Sequence, residues 1–350
     1  MRTNVLRWVG FGLVADRPEQ ITWKRALLRV GRKVVPDFYH PPAGVLFPSG
    51  HIISDCPPPH VRHLYSVPTI AQFKDSVDFL CQRFRPLQLS ELPELPGRRN
   101  NNGIPRSFIL SFDDGMREIS DVVAPILREK GLRAIFFIDT STTDNKRLMW
   151  RHKISLVIDR FKASPGPIPP QIRSLPGNTF SAKLKALHFT EESTLDEIAS
   201  LYGVDFDAYL TTHRPYLTTE QILALSREGF EIGAHSHGHP VFAKLTPEEQ
   251  KEQISASVDA VRALGLPCRY FAFPFEDHGV SLSIFKHMAD LGLILSFGTN
   301  GAHVDSVPFS FQRFGIDEAN SDLTMRDLLR QLSAKSLVLR LSGTEVIRRS

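Results

Sequence analysis

The sequence predicts an α/β architecture built on a parallel sheet or barrel, and three observations carry that prediction. Short apolar runs recur at 107–112, 133–138, 230–233, 270–273, 293–297 and 309–314. Segments of helical periodicity separate them, the alternation that builds parallel strands joined by helical crossovers. Two of the runs lead into polar clusters, Asp113-Asp114-Gly115 and His235-Ser236-His237-Gly238-His239. Strand ends of this kind are where α/β barrels carry their chemistry.

Residues 1–44 read as a basic lead-in that closes on Pro41-Pro42. The apolar stretch 8–15 is thinned by Gly10 and Gly12 and followed at once by Asp16-Arg17-Pro18, so it reads as part of an uncleaved segment rather than a signal peptide. Residues 24–33 follow as a basic amphipathic helix for a surface or interface. A strand is expected within 45–53, and Pro57-Pro58-Pro59 breaks the chain after it. Phe73, Val77, Leu80 and Phe84 stand at helical spacing in 69–84. A polar loop is expected at 97–102.

The strand at 107–112, a helix reaching Lys130 with Gly131 as its stop, and the strand at 133–138 form a βαβ unit. Regularity fades over 143–213. Helical stretches there flank a loop with five prolines between 165 and 176, and the whole reads as an insertion beside the main unit. It returns with two helix-start signatures: Thr218 with Gln221, and Thr246-Pro247-Glu248-Glu249. The division is therefore a barrel over 45–320, interrupted at 143–213, and a C-terminal helix and tail over 321–350.

Composition narrows the function classes. The chain has 350 residues, 42% of them hydrophobic, enough for a substantial core. Its net charge of +4 is dispersed, which argues against a nucleic-acid binder. No run reaches the ~18 apolar residues of an integral membrane span. Three cysteines without CxxC spacing read as free thiols, and a cytoplasmic location is the expectation that fits them.

The two polar clusters together point to a metal. Catalytic zinc takes three protein ligands from His, Asp, Glu or Cys and leaves one position open. His235 and His239, four apart, face the same way if they lie on one helical turn. An aspartate from a neighbouring strand end completes the set, and the adjacent carboxylate can take a proton from water. Asp-Asp-Gly alone is a common turn, and His-x-x-x-His alone is weak. Their joint placement at strand ends is the specific signal. His237 lies between the pair and points elsewhere.

These residues also resemble a known family. Ser111-Phe112-Asp113-Asp114-Gly115 resembles the first motif of the polysaccharide deacetylases, the carbohydrate esterases with a nodulation-deacetylase homology domain. Residues 235–239 are similar to their second motif, His-Ser/Thr-x-x-His. Phe271-Ala272-Phe273-Pro274-Phe275 is similar to the Phe-Ala-Tyr-Pro form of the third, and Arg313-Phe314-Gly315-Ile316 to an arginine-bearing closing strand. The resemblance covers 104–316, interrupted by the insertion.

The resemblance implies a distorted (β/α)7-like barrel with a helical insertion. It implies a metal-dependent hydrolase that removes acetyl groups, N-acetyl above all, from a polysaccharide or sugar intermediate. Asp113 would be the base, and Asp114, His235 and His239 the ligands of a divalent metal, zinc by default. The Phe275 N–H would meet the oxyanion. His51, Phe273, Pro274 and Arg313 would meet the acetylated glycan or amino-sugar substrate. Trp150 and the phenylalanines of the third motif could line a sugar groove or serve as core. Two departures stand out. The third motif runs into Glu276-Asp277 instead of glycine, and the late Leu-x-His that supplies the acid is not evident. His278 is taken as the candidate acid, with His303 behind it. The missing acid motif keeps open a non-catalytic carbohydrate-binding protein on the same scaffold.

Overall fold

The computed structural model describes residues 44–98, 106–317 and 323–350. Residues 1–43 of the lead-in, its amphipathic helix and positions 99–102 of the expected polar loop lie outside the described residues.

Eight short strands form one parallel sheet: β1 (Pro48–Gly50), β2 (Leu110–Phe112), β3 (Ala134–Ile138), β4 (Glu231–Ala234), β5 (Tyr270–Ala272), β6 (Leu295–Gly298), β7 (Ser310–Gln312) and β8 (Phe314–Gly315). Their order is β7-β6-β5-β4-β3-β2-β1-β8. Only Arg313 parts β7 from β8, so one chain segment supplies both edges. Its first half pairs with β6, Ser310 opposite Ser296, and its second half with β1, Phe314 opposite Pro48. The ring is thereby nearly closed and leaves little unpaired edge. Eight strands on seven chain segments make the expected (β/α)7-like barrel.

Period-two side chains explain how the barrel fills. Every residue of β3 is buried. Ile135 and Phe137 pack with Tyr270, Leu295, Phe297 and Phe311 in one cluster. Ala134, Phe136 and Ile138 pack on the other side, with residues of the surrounding helices such as Val77, Leu127 and Val258. Strands covered on both faces need continuous apolar runs rather than alternation, which is what the sequence offers.

The helices start where their caps say they should. Thr69 and Gln72 form a capping box before Ile70–Arg83, which buries Phe73, Val77 and Leu80. Thr218 with Gln221 and Thr246 with Glu249 do the same for Thr219–Arg227 and Pro247–Ala263. The helix after Asp-Asp-Gly differs from expectation by opening in a π-helical turn, Ile119–Val123, before Ala124–Glu129. Pro125 has no N–H to give, and the Ala124 N–H reaches back five residues to the Ile119 carbonyl.

Within the insertion between β3 and β4 lie five α-helices, Trp150–Ala163, Pro170–Arg173, Phe180–Lys185, Glu192–Leu201 and Phe206–His213. They share an apolar cluster of their own, including Ile154, Val157, Leu184 and Ile198. Ile52, Val61 and Met116, which follow β1 and β2, join it. The insertion therefore packs beside the strand ends that carry the polar residues. The C-terminal helix Met325–Ser342 buries Met325, Leu328, Leu329 and Leu332, and Val346–Ile347 pairs in parallel with Val304–Asp305. Cys56, Cys81 and Cys268 are free. Among the described residues no helix is long and apolar enough to cross a membrane.

Candidate active site

Strand register brings the polar residues to one rim. Gly50 lies opposite Phe112, and the Asp113 N–H donates to the Gly50 carbonyl at 2.9 Å, so His51 and Asp113 leave adjacent strands side by side. His235 leaves β4 next to them, its N–H on the Ile138 carbonyl at 2.9 Å.

Asp114, His235 and His239 are buried, and one ligand atom from each lies within 4.8 Å of the others. Asp114 Oδ1 is 3.2 Å from His239 Nε2 and 3.5 Å from His235 Nε2. His235 Nδ1 faces the Ala272 carbonyl at 2.9 Å and so carries the proton, which leaves Nε2 as an acceptor aimed at the carboxylates. Asp114 Oδ1 is buried with no hydrogen bond of good geometry, an unusual state for a carboxylate oxygen. Burial alone would raise the Asp114 pKa, yet His239, His51 and His235 hold it well below the ordinary range. Burial, reinforced by His239, pushes His235 down to about 4 against the pull of the two aspartates. An ionised carboxylate with a neutral imidazole is what a divalent cation requires, so the residues fit one.

The two histidines do not converge through a helical turn. Residues 235–239 form a loop in which Ser236 (φ 66°) and His239 (φ 53°) are left-handed. The His239 N–H donates to Ser236 Oγ at 3.2 Å, and Trp150 Nε1 donates to the His239 carbonyl at 3.0 Å. Of eight non-glycine residues with positive φ among those described, Asp114, Ser236, His239 and Phe275 belong to this rim. Such backbone costs energy and concentrates where function fixes geometry.

Asp113 is held differently. Both Arg313 terminal nitrogens donate to its two oxygens at 2.7 Å, and one also reaches Ser111 Oγ at 3.1 Å. Burial would raise the Asp113 pKa, but Arg313 and then His235 bring it below the ordinary value. His51, whose side chain is 33% exposed, places Nδ1 2.5 Å from Asp317 Oδ2 and stacks on the Tyr65 ring at 4.7 Å. Partial burial lowers the His51 pKa. Asp317, then Asp114 and Asp113, raise it more, up to about 10.

The family model for polysaccharide deacetylase matches residues 100–293. The chain belongs to the polysaccharide deacetylase family. Its fold is similar to the Streptococcus pyogenes deacetylase PplD solved with acetate, at TM-score 0.53 and 15% identity, over 82% of this chain and 97% of that one. It is similar too to IcaB from Ammonifex degensii, at TM-score 0.50 and 15% identity, over 83% and 99%. No curated protein matches the chain. At such identity the structures speak for the fold, and the family supports carbohydrate deacetylation.

Within this polysaccharide deacetylase several expected site residues fall in other places. Phe273 is wholly buried among Phe242, Phe271 and Phe285, so its ring is core and does not face a sugar. Pro274 beside it is buried too. Arg313 is fully buried on Asp113 and positions that carboxylate instead of meeting substrate. Phe275 stands at the rim: its backbone is left-handed (φ 57°) and its ring is edge-on to His239 at 4.7 Å. His278 is exposed, and none of the described hydrogen bonds or ion pairs joins it to Asp113 or Asp114. His303 bonds the Asn300 carbonyl at 2.9 Å. The residue that sequence reasoning missed is Asp317. Its one signal is an acidic side chain just past the closing strand, two residues beyond Gly315.

The departure in the third motif also finds a cause. Asp277 is fully buried and accepts from Asn300 at 2.7 Å and Gln312 at 2.8 Å. It also accepts from Arg349 of the C-terminal tail, which bonds Asp305 as well. A carboxylate here ties the Phe275 loop to the closing strand and the tail.

Proposed function

We propose that the chain hydrolyses an N-acetyl group on a glycan or amino sugar, with a divalent metal, zinc by default, held by Asp114, His235 and His239. The observation that carries this reading is the convergence of three buried ligand atoms beside a second, ionised carboxylate. A cation bound there supplies a Lewis acid and a water whose pKa falls to around 7.

Asp113 takes the proton of the attacking water. Arg313 fixes both carboxylate oxygens, and each keeps a further lone pair to receive the proton. The water oxygen bonds to the acetyl carbon, and the Phe275 N–H, on the residue whose ring meets His239, would meet the carbonyl oxygen as charge develops on it. The leaving nitrogen needs a proton before the C–N bond breaks. His51 supplies it: Asp317 occupies Nδ1 and keeps the ring charged, so Nε2 is the donating atom. The products are acetate and a free amine. The acid role thus passes from His278 to His51, and the main reason for a binding-only protein falls away.

Acetate release from N-acetylglucosamine oligomers tests this. Asp113→Asn should keep the metal and lose turnover by roughly 10²–10⁴-fold, the usual scale for a proton-transfer group. Full activity in Asp113→Asn would remove Asp113 as base. Absence of acetate from wild type on every acetylated sugar would favour binding alone.

A further inference from the structure

The insertion presents a cation to the site without a counter-ion. Arg151 lies in the first turn of Trp150–Ala163, its guanidinium over the Trp150 ring at 4.3 Å and over the Phe275 ring at 5.3 Å. Phe275 in turn meets His239, so the charge stands one aromatic ring from a candidate metal ligand. One Arg151 nitrogen donates to the Lys185 carbonyl at 3.0 Å, while Nε is buried with no hydrogen-bond partner.

No carboxylate answers this charge among the described contacts. The first turn of its helix holds no acidic residue. Glu192 and Asp196 of the insertion are engaged with Arg147 and Lys153. Burial alone pushes the Arg151 pKa down to about 10. Lys185 is lowered as well, by burial first and then by Arg151, so two like charges share the place. A largely desolvated cation without an anion is costly. Stacking on aromatic faces offsets part of that cost and leaves the charge in place. The planar guanidinium suits carboxylate and phosphate alike.

We propose that Arg151, with Lys185 beside it, is an anion subsite of the glycan groove, so that the substrate bears a carboxylate or phosphate on or next to the acetylated sugar. The site's meaning rests on the deacetylase reading, but its occupancy can be measured without turnover. Calorimetric titration of the full chain would compare three ligands: the neutral N-acetylglucosamine dimer, N-acetylglucosamine joined to glucuronic acid, and N-acetylglucosamine 1-phosphate.

Wild type should bind at least one acidic ligand roughly ten- to a hundredfold more tightly than the neutral dimer, as a charge-assisted pair implies. Added salt should shrink that preference. Arg151→Gln should abolish it while binding the neutral dimer within about twofold of wild type. Whichever acidic ligand is favoured separates carboxylate from phosphate. Equal binding of all three ligands to wild type, binding of none, or a preference that survives Arg151→Gln would overturn the proposal. The wild-type comparison needs no variant, so a misfolded Arg151→Gln does not shield the idea. Acetate release from the neutral dimer reports on the deacetylase reading separately.

Discussion

Asp113 and Asp114 are neighbours in sequence and differ in what surrounds them. Asp114 turns into the left-handed region and meets two imidazoles, while Asp113 stays on the strand line and meets a guanidinium. Both remain ionised, one fit to ligate and the other to accept a proton. In the proposed mechanism His51 is the counterpart on the acid side. Its pKa is raised, so its charged form persists through neutral pH and is lost as pH rises through about 10. Its contribution to stability has the same sign, complete below the ordinary value of 6.5 and lost on the way to about 10. Asp317→Asn removes the chief cause of that rise. The basic limb of kcat should then move down toward neutral pH, and a pH–rate profile that stays where it was would mean Asp317 does not tune the acid. The Asp113 and Asp114 pair was legible because the motif is contiguous. The His51–Asp317 pair was not, because its members are 266 positions apart and meet only when the barrel closes.

At the level of elements, capping chemistry was the most readable feature. Thr218 and Thr246 start helices through local hydrogen bonds that depend on three or four residues. The loop at 235–239 was misread as a helical turn because spacing of four suits a helix and does not reveal left-handed backbone at Ser236 and His239. The motif phenylalanines show the same limit: Phe273 and Phe275 look alike in sequence, yet one is core and the other rim. The Asp277 network makes a sharper test of how elements hold the site. A Cβ on Gly298, at the end of β6, would lie 2.4 Å from both Asp277 Oδ2 and Gln312 Oε1. Gly298→Ala should therefore disturb this network. Arg349→Gln strips the cation from two buried carboxylates, Asp277 and Asp305. Breaking a buried pair in this way costs about 3–5 kcal/mol. Thermal unfolding should show a clear loss for Arg349→Gln, and an unchanged melting temperature would mean the tail does not brace the loop.

Across the whole molecule, closure of the ring is what makes the site. β7 and β8 reach both edges and set Arg313 beneath Asp113 and Asp317 beside His51, joining the first and last strands at the reacting end. The alternation of apolar runs and helices made the barrel legible in the sequence. The burial of Arg313 was not, since an arginine inside a barrel is favourable only when a carboxylate partner is already there. The insertion then adds Trp150 and Arg151 to a rim the barrel alone would leave plain. Metal binding to the folded chain alone should also raise its melting temperature, by mass action. The most direct test of the central reading is a zinc titration of chelated protein followed by acetate release. Activity should rise to a plateau at about one equivalent per chain, as one three-ligand site requires, and Asp114→Ala should stay at background. Full acetate release from metal-free protein, or a titration in Asp114→Ala that matches wild type, would contradict it.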